Sequence, residues 1–194
     1  MEPEAIIFDC DGTLADTMPL HYEAWRDTLQ GLGLVLCEDR FYAMGGWPTL
    51  EVARWVLKEN GHDADPVRVA HDKESAFIQS LLHVTAIEPI ADVARRNHGK
   101  IPLAVATGSM HAVCENVLTH LQLCQLFRVI VGCDDCPTHK PDPGIYLQAA
   151  ELLGVTPARC LVYEDTDPGI ESARRAGMAF VDVRTIYQPR RVSA

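Results

Sequence analysis

Five short apolar runs, at residues 5–9, 103–107, 129–133, 160–164 and 179–183, constrain this chain more than any other feature. Each is rich in apolar, often β-branched residues and is continuous rather than alternating. Continuous strands need cover on both faces, which a parallel sheet between two helical layers provides. Helical patterns separate the last four runs. Val113, Val117, Leu118 and Leu121 share one helix face. A second helix is predicted over 143–153, with Asp142 as N-cap, Pro143 at the first helical position and Gly154 as the stop. A third starts at Asp167-Pro168 and stops at Gly177. Strands alternating with helices predict an α/β fold, a doubly wound parallel sheet.

The interval after the first run breaks the alternation. Residues 17–87 hold no strand candidate, only helical stretches at 20–30, 50–59 and 66–83, where Ala53, Val56 and Leu57 keep the helical period. That is too much helix for one crossover. A small helical domain over 17–87, inserted into a core domain of 1–16 and 88–194, is the expectation. The tail 184–194 is polar, slightly basic and without pattern.

Charge narrows the partners. With 17 Lys and Arg against 27 Asp and Glu, the net charge is −10. Such a surface has nothing with which to replace the counterions of a nucleic acid or to bind an anionic membrane. A small anionic substrate remains open if local positive charge receives it. No apolar run reaches the length of a membrane span, and Met1-Glu2-Pro3-Glu4 is acidic where a signal peptide needs basic residues. A cytoplasmic monomer is expected. The seven cysteines are odd in number and sit mostly in apolar segments, as reduced thiols do. Cys133, Cys136 and His139 offer three zinc ligands, but no second pair follows to close a set of four.

Ligands in open α/β sheets bind beyond the carboxyl ends of the strands. The first run ends in Asp9-Cys10-Asp11-Gly12-Thr13, the second in Thr107-Gly108-Ser109 and the fourth in Glu164-Asp165, while Lys140 precedes a capped helix. The fold would gather four carboxylates, a hydroxyl and an ammonium in one crevice. Unit charges near 4 Å interact at roughly 4 kcal/mol for an effective dielectric near 20. A hard dication such as Mg²⁺ offsets that repulsion, completing its octahedron with waters and a substrate phosphate. With the dication and Lys140 in place a single negative charge remains, and protonating one carboxyl removes it. Asp9 and Asp11, two apart on extended chain, point the same way, while Cys10 faces the core. One can attack phosphorus; the other can protonate the leaving oxygen and later activate water, provided their pKa values are pushed apart. Thr107 and the amides of Gly108 and Ser109 would hold nonbridging oxygens, and Lys140 the phosphoryl group.

Taken singly these signals are weak: Asp11-Gly12 is a common turn pair, Glu164-Asp165 a plausible helix cap, Lys140 an ordinary surface charge. In order, however, Asp9-Cys10-Asp11-Gly12-Thr13-Leu14, Ala106-Thr107-Gly108-Ser109, His139-Lys140-Pro141, and Glu164-Asp165-Thr166-Asp167-Pro168-Gly169-Ile170 through Ala176-Gly177-Met178 resemble the four motifs of haloacid dehalogenase superfamily phosphatases. The likeness covers nearly the whole chain. The stretch from Thr17 is similar to the helical cap of the β-phosphoglucomutase-like subgroup.

The resemblance implies that Asp9 is the nucleophile, forming an aspartyl phosphate, and that Asp11 is the general acid and base. It also implies Mg²⁺ held by Asp9, the Asp11 backbone carbonyl and Asp165, with Glu164 acting through water, and Asp16 structuring the hinge. Asp11 speaks against dehalogenation, a branch of the superfamily that lacks an acid there. The loop Gly45-Gly46-Trp47-Pro48-Thr49 has no arginine to grip the distal phosphate of a mutase intermediate. His21, Trp25 and Arg26, the Trp47-Pro48-Thr49 loop and Val181-Asp182-Val183-Arg184 are similar to bacterial fructose-1-phosphate phosphatases. His21 and Trp25 share a helix face; with Arg26, and more weakly Lys73, they are candidates to contact the sugar. The implied reaction is Mg²⁺-dependent hydrolysis of a small phosphorylated metabolite, a sugar phosphate such as fructose 1-phosphate. A β-phosphoglucomutase-type transfer is the alternative. A phospho-receiver module uses a similar set of groups, but receivers are shorter and have no insertion after strand one.

Overall fold

The computed structural model describes residues 2–192. Its centre is β1 (Ala5–Phe8), flanked by β2 (Leu103–Ala106) and β4 (Cys160–Glu164), with β3 (Val129–Val131) and β5 (Ala179–Asp182) at the edges. The sheet is parallel throughout, in the order β3-β2-β1-β4-β5. Between β1 and β2 lie α1 (Met18–Gln30), α2 (Glu38–Ala43), α3 (Thr49–Glu59), α4 (Pro66–Gln79) and α5 (Glu88–Asn97). The remaining crossovers carry α6 (His111–His120), α7 (Gly144–Leu153) and α8 (Asp167–Arg175).

Alternate residues of the central strands enter two cores. Ile6, Phe8, Leu103 and Val105 pack with Ile90, Ala91, Ala94, Val113, Val117 and Leu118 of α5 and α6. Ala5, Ile7, Ala104 and Ala106 pack with Ile145, Tyr146, Ala149 and Ala173 of α7 and α8. The sheet is therefore doubly wound, and β1 and β2 are buried on both faces. The edge strands are not: Phe180 on β5 is 40% exposed, because an edge strand has only partial helical cover.

Several element ends differ from the pattern-based expectation. Pro143 is the N-cap of α7, and Asp142 acts one residue further out, its carboxylate accepting from the Gly144 amide at 2.9 Å and the Thr138 hydroxyl at 2.7 Å. Gly154 ends that helix in the left-handed region, as expected. Thr166, not Asp167, caps α8, accepting from the Gly169 amide at 3.1 Å. The stretch 66–83 divides into α4 and a 3-10 turn at Leu81–His83. Helices α2 and α5 had no strong sequence signal: α2 is one and a half turns, and the buried face of α5 relies on Ile90 and two alanines.

Helices α1 to α4 surround a cluster of their own, including Met18, Trp25, Leu29, Phe41, Met44, Val56 and Val69. Two segments connect them to the sheet and run side by side. The Asp16 amide donates to the Thr85 carbonyl and the Ile87 amide to the Leu14 carbonyl, each at 2.9 Å. Among the described residues no helix is long and apolar enough to cross a membrane.

Candidate active site

The register of the sheet brings the strand tips to one level. Phe8 pairs with Val105 on one side and Tyr163 on the other, so Asp9, Thr107 and Glu164 emerge together. Beyond Asp9 the chain folds on itself, the Cys10 carbonyl accepting from the amides of Thr13, Leu14 and Ala15. Gly12 takes a φ of +83°, a conformation natural to glycine, and a Cβ there would strike the Asp165 carboxylate. Cys10 is buried on the α5–α6 side. Asp9 and Asp11 line one cavity, as their spacing predicts.

Asp9, Glu164 and Asp165 each offer an oxygen within 4.8 Å of the others. Lys140 is buried between two of them, its Nζ 2.7 Å from Asp9 Oδ1, 2.7 Å from Glu164 Oε2 and 3.2 Å from the Ala106 carbonyl. An ammonium has three hydrogens, and all three are committed here. Lys140 thus holds Asp9 and Glu164 in place. Glu164 also accepts from the Tyr146 hydroxyl at 2.6 Å and from the amide and hydroxyl of Thr166. Thr13 donates to Asp165 Oδ1 at 2.9 Å.

Asp11 faces different neighbours. Its Oδ1 accepts from the Thr17 hydroxyl at 2.7 Å and meets His21 Nε2 at 3.1 Å, while Oδ2 accepts from the Ser109 hydroxyl at 2.6 Å and the Thr107 hydroxyl at 3.4 Å. The Ser109 amide donates to Thr107 Oγ1 at 3.1 Å. In this state, then, Ser109 serves Asp11 through its side chain, and its amide is not directed at the cavity.

These surroundings drive the two aspartates apart. Burial raises the Asp9 carboxyl to about 8, against the pull of Lys140 and with the like charges of Glu164 and Asp11 added. Burial, then Glu164 and Asp9, push Asp165 up as well. Burial acts upward on Asp11 too, but His21 and the Ser109 and Thr17 hydroxyls outweigh it and hold this carboxyl well below the usual range. The separation expected of a nucleophile and an acid is present in reverse order. Asp9 and Asp165 are thus the proton-hungry groups, and Asp11 is the one held ionised. The surplus negative charge around Asp9, Glu164 and Asp165, all hard oxygen donors, fits a divalent cation.

The inserted helices close the cavity from above. It has a volume of about 60 Å³ and is lined by Met18, His21, Trp25, Phe41, Met44, Trp47 and Lys73 as well as the core residues. That is small against the roughly 300–1,000 Å³ of ordinary ligand sites, so the structure is in a closed arrangement. The Gly45–Gly46 loop lies directly on the core: a Cβ on Gly108 would sit 2.7 Å from the Gly46 carbonyl oxygen. Lys73 donates to His21 Nδ1 at 2.7 Å and to Glu74 Oε1 at 3.1 Å, and Thr49 also donates to Glu74. With Lys73 as an ammonium, Nδ1 of His21 is the acceptor, so Nε2 carries the hydrogen toward Asp11.

Of the residues singled out in the sequence, Asp9, Asp11, Thr107, Gly108, Ser109, His21 and Trp25 line this cavity, with Lys140, Glu164 and Asp165 directly beneath. Arg26 does not belong with them. It is exposed on the outer side of α1 and pairs with Asp27 at 2.8 Å, since the next helical position after Trp25 turns away. Thr17, Tyr146, Glu74 and Thr166 were not anticipated. Thr17, close after the first motif, and Thr166, inside the fourth, carried a local signal; Tyr146 and Glu74 carried none.

Residues 6–183 match the family model of haloacid dehalogenase-like hydrolases. The chain is similar to fructose-1-phosphate phosphatase YqaB of Escherichia coli, 41% identical over 181 residues that cover 93% of this chain and 96% of that protein. It is also similar to a phosphorylated carbohydrates phosphatase of Thermotoga maritima, 33% identical over 90% of this chain and 82% of that one. Among solved structures, β-phosphoglucomutase from Clostridium difficile has a TM-score of 0.82 at 28% identity, covering 94% of this chain and 84% of that chain.

Proposed function

This chain belongs to the haloacid dehalogenase-like hydrolases and is a phosphatase of that family, and from this premise we propose that it hydrolyses a small sugar phosphate, such as fructose 1-phosphate, with Mg²⁺ and through an aspartyl phosphate on Asp9. The observation that carries the reading is the contrast between two aspartates two residues apart. Asp9 is held by Lys140 among carboxylates, and Asp11 is held by hydroxyls and an imidazole.

Asp9, Asp165, the Asp11 backbone carbonyl and, through water, Glu164 would hold the cation, and Gly12 leaves room for Asp165 beside it. When bound, Mg²⁺ neutralises charge so that ionised Asp9 and a phosphate dianion can approach. Asp9 attacks phosphorus with a carboxylate oxygen, and the bond from phosphorus to the sugar oxygen breaks. Asp11 gives that oxygen a proton. The phosphate's negative charge beside Asp11 raises the affinity of its carboxyl for the proton it must deliver. Asp11, ionised again, takes a proton from the water that attacks the aspartyl phosphate, releasing inorganic phosphate and restoring Asp9. Lys140 keeps Asp9 aimed, and Thr107 contributes a hydroxyl at the cavity floor.

In this reading residues 17–87 are the cap and 1–16 with 88–194 the core. The cap side mixes apolar Met18, Trp25, Phe41 and Met44 with polar His21, Thr49 and Lys73, as a sugar with apolar faces and hydroxyl edges requires. The Gly45–Thr49 loop carries no cation for a second phosphate, and Lys73 is engaged by His21 and Glu74, which favours hydrolysis over a mutase. The test is phosphate release from hexose, pentose and triose phosphates with Mg²⁺, beside Asp9→Asn. Undiminished release by the variant overturns the nucleophile assignment. A phosphoprotein formed once per chain, without turnover, marks a receiver instead.

A further inference from the structure

The tail after β5, featureless in sequence, is a third crossing between core and cap. After a 3-10 turn at Val183–Thr185, the Tyr187 hydroxyl donates to Asp16 Oδ2 at 2.6 Å, at the point where the chain leaves the core for α1. Four residues on, the tail has reached α2. The Arg191 guanidinium lies over the Tyr42 ring at 3.8 Å and 3.4 Å from Asp39 Oδ1. The Val192 amide donates to Oε1 of the buried Glu38 at 2.7 Å, and Val192 packs on the cap cluster. Beneath this span lies a cavity of about 350 Å³ bounded by Gly12, Tyr42, Asp165, Arg184 and Tyr187.

We propose that residues 187–192 form a strap that holds the cap closed, with Tyr187 and Arg191 as its positioning residues. The inference rests on residues 17–87 being a mobile cap. The two paired linkers, 14–16 and 85–87, form a narrow two-segment hinge. The strap is anchored on the core at one end and on α2 at the other. Rocking the cap away breaks the Tyr187–Asp16 bond or peels Arg191 and Val192 from α2. Contacts made only in the closed arrangement stabilise it by their full differential energy. The seam beneath is loosely satisfied: Asp16 Oδ1 and Tyr42 Oη are buried without a hydrogen-bond partner among the described residues. Closure at this side therefore depends on the strap more than on direct core–cap bonds.

The experiment compares the unaltered chain with Tyr187→Phe, Arg191→Ala and the pair together. Amide hydrogen exchange is followed without substrate at residues 45–46 and 108–109, where cap and core backbones meet, and in β1 and β2. The double variant is expected to exchange about tenfold faster at the seam, with the strands unchanged. On a phosphorylated sugar, KM rises about fivefold while kcat stays within about twofold. Equal seam exchange in variant and unaltered chain overturns the strap, as does a rise shared by β1 and β2, which marks a general loss of stability. Faster seam exchange without turnover of any sugar phosphate supports the strap and overturns the catalytic reading.

Discussion

Replacing Lys140 with methionine isolates the charge at the centre of the site while keeping a side chain of similar length. The ammonium sits 2.7 Å from both Asp9 and Glu164, with its side chain 1% exposed. Removing one partner of a buried ion pair costs about 3–5 kcal/mol, because a desolvated charge is left behind. Here the cost is limited on one side. Asp9, already raised to about 8, accepts a proton at neutral pH, so the charge left uncompensated is that of Glu164, which keeps its bonds from Tyr146 and Thr166. The expected loss is therefore about 3 kcal/mol at pH 7. For a chain of this size that lowers Tm by about 6–12 °C. The loss grows at higher pH, where Asp9 no longer neutralises itself. Thermal unfolding in chelator measures it directly, and saturating Mg²⁺ should recover part of the difference by supplying the missing positive charge. A Tm within about 2 °C of the unaltered protein, in chelator at pH 8, refutes the claim that Lys140 offsets buried carboxylate repulsion.

Asp9 is raised from 3.8 to about 8 in the folded chain, so the folded state binds the extra proton between those values. Stability in chelator is expected to fall as pH rises through that window, followed as Tm from pH 5 to 8. Asp165 moves the same way, whereas Asp11 and Glu164, held low, contribute stability above their unfolded values that is lost only on acidification below about pH 4. A Tm that rises from pH 5 to 8 without metal contradicts this balance. Gly108→Ala places a methyl against the Gly46 carbonyl and keeps the cap loop from seating, so kcat/KM for a sugar phosphate should fall at least about tenfold. An unchanged value means that the loop need not approach the core. Arg26→Ala removes only an exposed pair with Asp27 and should leave kcat/KM within about twofold; a tenfold loss returns Arg26 to the site.

What was legible in the sequence was local. Continuous apolar runs located all five strands, and the residues at their carboxyl ends met as expected because parallel strands in register bring their tips to one level. Helix starts were read less well where two capping residues stood side by side. Thr166 wins over Asp167 because its hydroxyl also donates to Glu164, a contact that no local pattern contains. The tail looked featureless because its partners, Asp16, Glu38, Asp39 and Tyr42, lie about 150 residues or more away in the chain.

The division of labour proposed for Asp9 and Asp11 shows the same limit at the site itself. In the sequence they are two identical side chains separated by a cysteine; their spacing leaves open which one attacks and which carries the proton, and only the family resemblance assigns them. The fold distinguishes them. Sheet register sets Asp9 beside β4, where Glu164, Asp165 and Lys140 arrive from over a hundred residues away. The turn made possible by Gly12 swings Asp11 toward the hydroxyls of Thr17, Thr107 and Ser109 and the ring of His21. A cation and a phosphate need the first environment, and a proton in transit needs the second. In the proposed mechanism the two chemically identical groups take two roles because the chain turns between them, with Gly12 in the left-handed region.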